Sequence, residues 1–171
     1  MPDSIMFDFT APDVVAQWRS IDDLVMGGKS RSRLSWSDEG RMVFAGTLCG
    51  EPGSGFASIR SDTGRFDLDG YRGLMVRVKG DGRRYKLSLR CDADVDAIVY
   101  QSAFDTVADR RQTIRLPWSS FVASHHGRVI DSAPALNPAR IRSFGFVVAD
   151  KQVGAFRLEI AGIEAFAGDQ P

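Results

Sequence analysis

Residues 74–90 have the sequence LMVRVKGDGRRYKLSLR, and this stretch decides the fold class. Residues 74–79 read apolar-apolar-Val-Arg-Val-Lys, and residues 85–90 alternate strictly between apolar and polar, which is the period of a β-strand with one buried face. Between the two runs, Gly80-Asp81-Gly82 supplies residues that tolerate a positive φ, as a tight turn requires. The stretch therefore predicts two strands joined as a β-hairpin.

The same period recurs along most of the chain. The segments that show it are 43–49, 56–61, 98–104, 112–116, 141–149, 155–160 and 163–166, the last two joined through Ala161-Gly162. Helical turns are expected only over 12–19 and 119–122. Many short strands without crossover helices predict an all-β fold, a jelly-roll β-sandwich of two antiparallel sheets with one or two short helices. We expect a single domain over residues 1–171, with an ordered core of roughly 5–167.

Charge and composition narrow the classes of partner. The chain has 22 basic and 22 acidic side chains and a formal net charge of zero. Binding to nucleic acid or to an anionic membrane surface therefore has no electrostatic support. No apolar run is long enough to span a bilayer, and the first residues lack the basic and apolar regions of a signal peptide. With two cysteines and no CxxC spacing, we expect a cytoplasmic protein with no nucleic-acid partner and no membrane insertion.

Two glycine-containing motifs resemble nucleotide-binding loops and fail at an essential position. Gly28-Lys29-Ser30 resembles the end of a P-loop, but Asp23 stands where the first glycine belongs, and an acid there repels phosphate. Gly80-Asp81-Gly82 begins like a dinucleotide fingerprint, but Tyr85 occupies the third glycine position and a strand follows. The sequence therefore predicts no nucleotide cofactor.

Candidate metal ligands are also poorly spaced. Asp92, Asp94 and Asp96 open like a calcium loop, yet alanines replace the required glycine and the bidentate glutamate. A solvated loop of acids and an irregular calcium site both stay open. His125 and His126 are adjacent and have no partner at metal-ligand spacing.

Motifs for catalysis are missing as well, since neither GxSxG nor a cysteine-protease motif occurs. We therefore expect a protein that is not an enzyme and has no cofactor. The alternative is a catalytic site assembled from dispersed residues such as Asp23, Ser30, Arg60 and Asp81.

The segment 18–30 differs from the rest because it is not periodic. Outside any predicted strand it combines an aromatic residue, two acids, a methionine and paired glycines. Glycines permit a tight backbone, carboxylates accept backbone N–H groups, and an exposed methionine suits a partner surface. An ordered loop on a rigid scaffold is a common place for binding residues, although a purely structural loop has the same composition.

At this loop the chain resembles the complex I intermediate-associated protein family, the assembly factors of NADH:ubiquinone oxidoreductase. The segments that carry the resemblance are 22–30 with Trp18, 44–48, 55–60, 74–85, 144–146, 150–151 and 154–165. The resemblance implies a galactose-binding-like jelly roll and a chaperone-like role, in which the protein holds respiratory NADH dehydrogenase subunits during assembly without turnover. Because no mitochondrial presequence is seen, we expect a bacterial relative.

These arguments give one set of predicted binding residues. They are Asp22, Asp23, Met26, Gly27, Gly28, Ser30, Arg60, Asp81, Arg83 and Tyr85. On its strand, Arg60 is also a candidate buried partner for one of the acids. A protein partner is the leading hypothesis.

The alternative is a carbohydrate-binding module, which stacks sugar rings on aromatic side chains and binds hydroxyls with carboxylates and arginine. Its candidate residues are Trp18, Trp36, Trp118, Tyr71, Tyr85 and Tyr100, with Asp81 and Arg83.

Overall fold

A computed structural model describes residues 3–21, 30–49, 55–91, 98–125, 128–149 and 152–168. The strands in these residues are β1 (Ser4–Asp8), β2 (Trp18–Ser20), β3 (Arg31–Ser37), β4 (Arg41–Leu48), β5 (Ala57–Ser61), β6 (Gly73–Lys79), β7 (Arg84–Arg90), β8 (Val99–Asp105), β9 (Arg111–Pro117), β10 (Val122–His125), β11 (Arg128–Val129), β12 (Ser143–Val148) and β13 (Gly154–Phe166). Short 3₁₀ helices lie at Pro12–Gln17, Trp118–Ser120 and Pro138–Arg140. The first two fall where helical turns were predicted.

The strands form two antiparallel sheets. The smaller sheet has six strands in the order β3-β4-β13-β6-β9, with β1 paired to the second half of β13. The larger sheet has seven strands in the order β11-β10-β8-β7-β12-β5-β2. The predicted all-β sandwich of two antiparallel sheets is confirmed.

The core lies between the sheets and is rich in aromatic residues. The alternation read from the sequence places one side of each strand inside, so that Phe44, Leu87 and Phe146 are fully buried. Phe7 packs edge-on against Trp18 and Phe144, with ring centroids 5.1 and 5.3 Å apart. Burying one such side chain stabilises the fold by roughly 1.5–3 kcal/mol.

The prediction of a hairpin over 74–90 is wrong. The strand β6 belongs to the smaller sheet and β7 to the larger sheet, so Gly80-Asp81-Gly82 is a corner between the sheets. Gly82 has φ +96°, a conformation that favours glycine, and its N–H donates to Thr106 Oγ1 at 3.0 Å. Turn residues allow the chain to reverse direction, but they do not determine which strand pairs with β6. That depends on strands that are far away in sequence.

The prediction of two strands over 155–166 is also wrong. The strand β13 runs through Ala161-Gly162 without a break, and its register with β6 shifts between Ile160 and Gly162. The pair of small residues therefore marks a local irregularity in one long strand, and the Ala161 carbonyl there accepts the Phe9 N–H at 3.0 Å.

No helix within the described ranges is long and apolar enough to cross a membrane.

Candidate binding surface

Only the two flanks of the predicted loop, Ile21 and Ser30, are described. Five of the predicted binding residues, Asp22, Asp23, Met26, Gly27 and Gly28, lie outside the described residues, so their role stays a prediction. Before the loop, the Ile21 N–H donates to the Ser58 carbonyl of β5 at 2.8 Å. After it, the fully buried Ser30 hydroxyl donates to the Cys49 carbonyl and accepts the Cys49 N–H, both at 3.0 Å. The segment thus leaves beside the larger sheet and returns to the smaller one.

Asp81, at the corner between β6 and β7, is a structural anchor. Its Oδ1 accepts the Arg83 N–H at 3.1 Å and the Tyr85 hydroxyl at 3.0 Å, and its Oδ2 accepts the Arg157 N–H at 2.8 Å. The Tyr85 ring is fully buried; burial, followed by the Asp81 charge, raises the pKa of its hydroxyl. With its ring enclosed, Tyr85 shapes this corner from inside the fold.

Arg83 ties the same corner to the start of β13. Its Nε donates to the Ala155 carbonyl at 3.2 Å and its guanidinium to the Val153 carbonyl at 2.7 Å. Ala155 pairs with Thr47, and Thr47 pairs with Arg31, the residue after Ser30. The structure therefore brings the end of the predicted loop and the Asp81 corner to the same end of the sandwich.

Arg60 lies on a different surface, the outer face of the larger sheet. Its neighbours Ile59 and Ser61 point into the core, so Arg60 points outward. Directly beside it are Arg19 on β2 and Gly145 on β12.

The strand β7 completes this surface. Gly145 pairs with Ser88, and Lys86 and Arg90 stand two residues to either side of Ser88 on the outer face. We call this surface the basic face and define it by Arg19, Arg60, Lys86 and Arg90 around a floor of Ser88 and Gly145.

The electrostatics of the basic face centre on Arg60. Burial, with the neighbouring charges of Arg90 and Arg19, lowers the pKa of the Arg60 guanidinium to about 10. Burial also lowers the pKa of Arg90. A guanidinium stays protonated at neutral pH, so the lowered pKa measures how poorly this place accommodates its positive charge.

Arg60 has no hydrogen-bond acceptor or carboxylate partner among the residues that the structure describes. The hypothesis that it pairs with an acid therefore fails for Asp81, which is bonded elsewhere. The nearby Arg19 contacts Asp62 at 3.7 Å, but both side chains are well exposed, so that contact contributes little.

The outer face of the smaller sheet provides a contrast. There the Glu159 carboxylate lies 3.7 Å from Arg41, 4.0 Å from Lys79 and 3.7 Å from Arg157. Its neighbour Glu164 accepts from Arg77 at 2.8 Å. Arg41, Arg77 and Arg157 on that face contact acids of the same sheet, whereas Arg60 has no such contact among the residues that the structure describes.

An aromatic groove lies at a separate place, and only part of it was predicted. A cavity of about 620 Å³ is lined by Tyr71, Trp118, Phe166 and Arg115 among others. Trp118 Nε1 donates to the Tyr71 carbonyl at 2.7 Å, and the Arg115 guanidinium covers the Phe166 ring at 4.0 Å. Tyr71 and Trp118 were carbohydrate candidates, whereas Phe166 and Arg115 come together only through the pairing of distant strands.

The other aromatic candidates are turned inward. Trp18, Tyr85 and Tyr100 are buried, and Trp36 donates its Nε1 to the Phe9 carbonyl at 2.9 Å. Groups of three or more metal-binding side chains are absent from the described part of the chain. Residues 92–97, which carry the predicted acid loop, lie outside that part, as does His126.

Comparison with known sequences identifies close similarity to one family. The model of Complex I intermediate-associated protein 30 matches residues 7–160. The mitochondrial protein of that name from Drosophila melanogaster is 32% identical over 179 residues, covering 91% of this chain and 60% of the relative. Its Mus musculus counterpart is 29% identical over 182 residues, covering 95% and 56%. The chain thus spans less than two thirds of the length of these curated relatives.

Solved structures with the same fold include carbohydrate-binding modules. The family 11 module from Clostridium thermocellum, in complex with a β-1,3-1,4-mixed-linked tetrasaccharide, has a TM-score of 0.72 at 17% identity, covering 97% of this chain and 96% of the module. The family 30 module of a cellulosomal cellulase from the same organism has a TM-score of 0.63 at 14% identity, covering 99% and 100%. At such low identity the similarity shows the fold, and it confirms the predicted galactose-binding-like jelly roll.

Proposed function

The chain belongs to the complex I intermediate-associated protein 30 family, and from this membership we propose that it is a non-catalytic assembly factor that holds a protein partner while respiratory complex I is built. The family match over residues 7–160 supports the assembly role. A single observation carries the choice of surface. Arg60 holds a poorly accommodated charge on the basic face, with no acceptor from the described residues. A bound partner that supplies a hydrogen-bond acceptor to Arg60 removes the unfavourable electrostatic free energy of this charge.

The described flank of the predicted loop lies beside the strand that carries Arg60. Ile21, the last described residue before the loop, is bonded to Ser58, which is two residues before Arg60 on the outer side of β5. A partner seated on Arg60 therefore lies close to Ile21, the last described residue before the predicted loop. The Asp81 corner supports this arrangement by fixing the loop end of the sandwich.

The test is affinity enrichment of the tagged chain from its own host, followed by mass spectrometry. Three forms are compared: the wild type, Arg60→Gln, and Arg33→Gln as a matched control. Arg33 is an exposed arginine on β3, on the outer face of the other sheet. We expect NADH dehydrogenase subunits with the wild type and Arg33→Gln and their loss with Arg60→Gln. Absence of those subunits from the wild-type sample would reject the assembly role.

A second candidate function, carbohydrate binding, is favoured by the aromatic groove. Tyr71 and Trp118 are only partly buried and both line this groove, and aromatic side chains of this kind are what a sugar-binding site uses. Against it, Arg115 already covers the Phe166 ring. The test is calorimetry with mixed-linkage β-glucan oligosaccharides. Saturable binding that disappears in Trp118→Ala and persists in Arg60→Gln would favour carbohydrate binding over the assembly role.

A further inference from the structure

We propose that the segment held on the basic face is an acidic, extended stretch of the partner protein, with one carboxylate seated on the guanidinium of Arg60. This inference rests on the proposed function, because it names the chemistry of the partner that the assembly factor holds.

The surroundings of Arg60 suit a carboxylate ligand. Arg60 is partly withdrawn from water, and none of the described residues offers it an acceptor. A guanidinium presents a planar fork of N–H groups that matches the two oxygens of a carboxylate. Loss of water around Arg60 has already occurred in the folded chain, so an incoming carboxylate gains a charge-assisted hydrogen bond with little further desolvation of this side chain.

The neighbouring arginines extend the binding site of Arg60 across the basic face. Arg19 stands directly opposite Arg60 on the adjacent strand, so their backbones are about 4.8 Å apart. Arg90 lies on the other side, across Gly145, and its charge acts on Arg60. An extended peptide that carries acids at alternate positions presents them about 6.8 Å apart along one side, so it offers carboxylates to Arg60 and to the neighbouring cations of this face.

The floor between these cations is low. Gly145 has no side chain, and a Cβ there would lie 2.8 Å from the Ile59 carbonyl. Its neighbour Ser88 is buried, and the Gln101 side chain donates to its hydroxyl at 3.2 Å. A peptide backbone can therefore approach closely between the arginines.

The composition of the face favours a polypeptide over sugar or nucleic acid. The outward residues of β5, β12 and β7 are Ser58, Arg60, Ser143, Gly145, Val147, Arg84, Lys86, Ser88 and Arg90. These strands offer no outward aromatic ring within their described bounds, and both sugars and single-stranded bases are bound largely by stacking on such rings. Carboxylates need only the guanidinium groups.

The experiment measures fluorescence polarisation of a labelled ten-residue peptide of alternating glutamate and serine, with the glutamine–serine peptide as its matched control. The wild type is expected to bind the glutamate peptide saturably at 50 mM salt and not the glutamine peptide. Arg60→Gln should weaken binding about tenfold, the effect of one lost charge-assisted hydrogen bond. Arg60→Lys, which keeps the charge and loses the fork, should weaken it about threefold. Arg33→Gln should stay within about twofold of wild type. Melting curves check that every variant is folded.

Three results would overturn the proposal: equal binding by Arg60→Gln and wild type, equal losses in Arg60→Gln and Arg33→Gln, or displacement by inorganic phosphate or a single-stranded oligonucleotide at concentrations below those of the unlabelled peptide. The enrichment experiment distinguishes failure of the proposed function from failure of the acidic-segment inference. If Arg60→Gln loses the native partner while no form binds the peptide, the acidic-segment inference fails and the proposed function stands. If the wild type binds the peptide but enriches no NADH dehydrogenase subunits, the proposed function fails and the carboxylate seat stands.

Discussion

Replacing Arg60 by methionine should make the protein more stable. Most substitutions at a partly buried position destabilise a fold, so the expected sign is unusual and comes from the electrostatics of the basic face. The guanidinium is partly desolvated and lies beside the charges of Arg90 and Arg19. Methionine keeps an apolar stem of similar length and removes the charge.

The magnitude follows from the pKa. The pKa of Arg60 falls from 12.5 to about 10, a difference of about 2.5. Each pKa unit corresponds to about 1.4 kcal/mol, which gives about 3 kcal/mol of unfavourable free energy in the folded state. Solvent reaches part of the side chain and screens it, so we take about half of that value. Arg60→Met should therefore raise the free energy of unfolding by about 1–2 kcal/mol and the Tm by about 2–6 °C.

Urea denaturation at pH 7, followed by tryptophan fluorescence, measures the change. The gain should be largest at 20 mM salt and shrink at 500 mM, where repulsion among the arginines is screened in the wild type. Arg33→Met, on the outer face of the smaller sheet, should change the free energy of unfolding by less than about 0.5 kcal/mol. A loss of 1 kcal/mol or more in Arg60→Met would mean that the guanidinium already has a stabilising acceptor, and the argument for an open anion seat would be refuted.

Three further substitutions test the rest of the structure. Tyr85→Phe removes a buried hydroxyl that donates to Asp81, and should lower the free energy of unfolding by about 1–2 kcal/mol in urea denaturation. The pKa of Tyr85 is raised in the folded state, so the stability that its hydroxyl contributes is present below about pH 10 and lost as the pH rises further. The variant should therefore lose less stability in alkali than the wild type. Glu159→Gln removes a carboxylate that lies 3.7 Å from the buried Arg41, but Arg41 keeps its 2.8 Å bond to Glu39, so stability should fall by only about 1 kcal/mol in calorimetry. An unchanged Tm would mean that Glu39 alone compensates the cation. Gly46→Ala places a Cβ against a backbone carbonyl of β3 and should abolish soluble expression or cost at least about 3 kcal/mol; a stable variant would show that β3 and β4 are not paired as described.

Fold class followed from the sequence because burial alternates along strands such as β5 and β8. The alternation over 85–90 matches β7, in which Tyr85, Leu87 and Leu89 are buried. Connectivity did not follow. The glycines around Asp81 signal a reversal equally well in a hairpin and in a corner between sheets, and only the long-range pairing of β6 with β13 distinguishes the two.

Some strands escaped prediction because they carry little apolar material. The edge strand β3 has serine and arginine at most positions, and its inward side is formed by Ser32, Leu34 and Trp36. An edge strand with charged outward residues is common in natural sheets, and its pattern is weak in a single sequence.

The candidate surface could be predicted only one residue at a time. Arg60 was a candidate from its strand, but its neighbours Arg19 and Arg90 come from strands that are distant in sequence. Their proximity depends on the register of β2 with β5, and of β5 with β12 and β7. The aromatic groove has the same origin, because Arg115 and Phe166 meet only once β6, β9 and β13 are aligned.

The position of β13 has a consequence for biosynthesis. This strand, residues 154–166, lies in the middle of the smaller sheet between β4 and β6, both of which precede it by many tens of residues along the chain. On the ribosome those two strands emerge first, with the edges that β13 later covers still unpaired and prone to associate with other chains. The smaller sheet can close only after residue 166 has left the exit tunnel, and its closure is slowed by this long-range pairing. During synthesis the unpaired edges of these two strands therefore need protection from other chains, the kind of service that we propose this protein gives to its own partner.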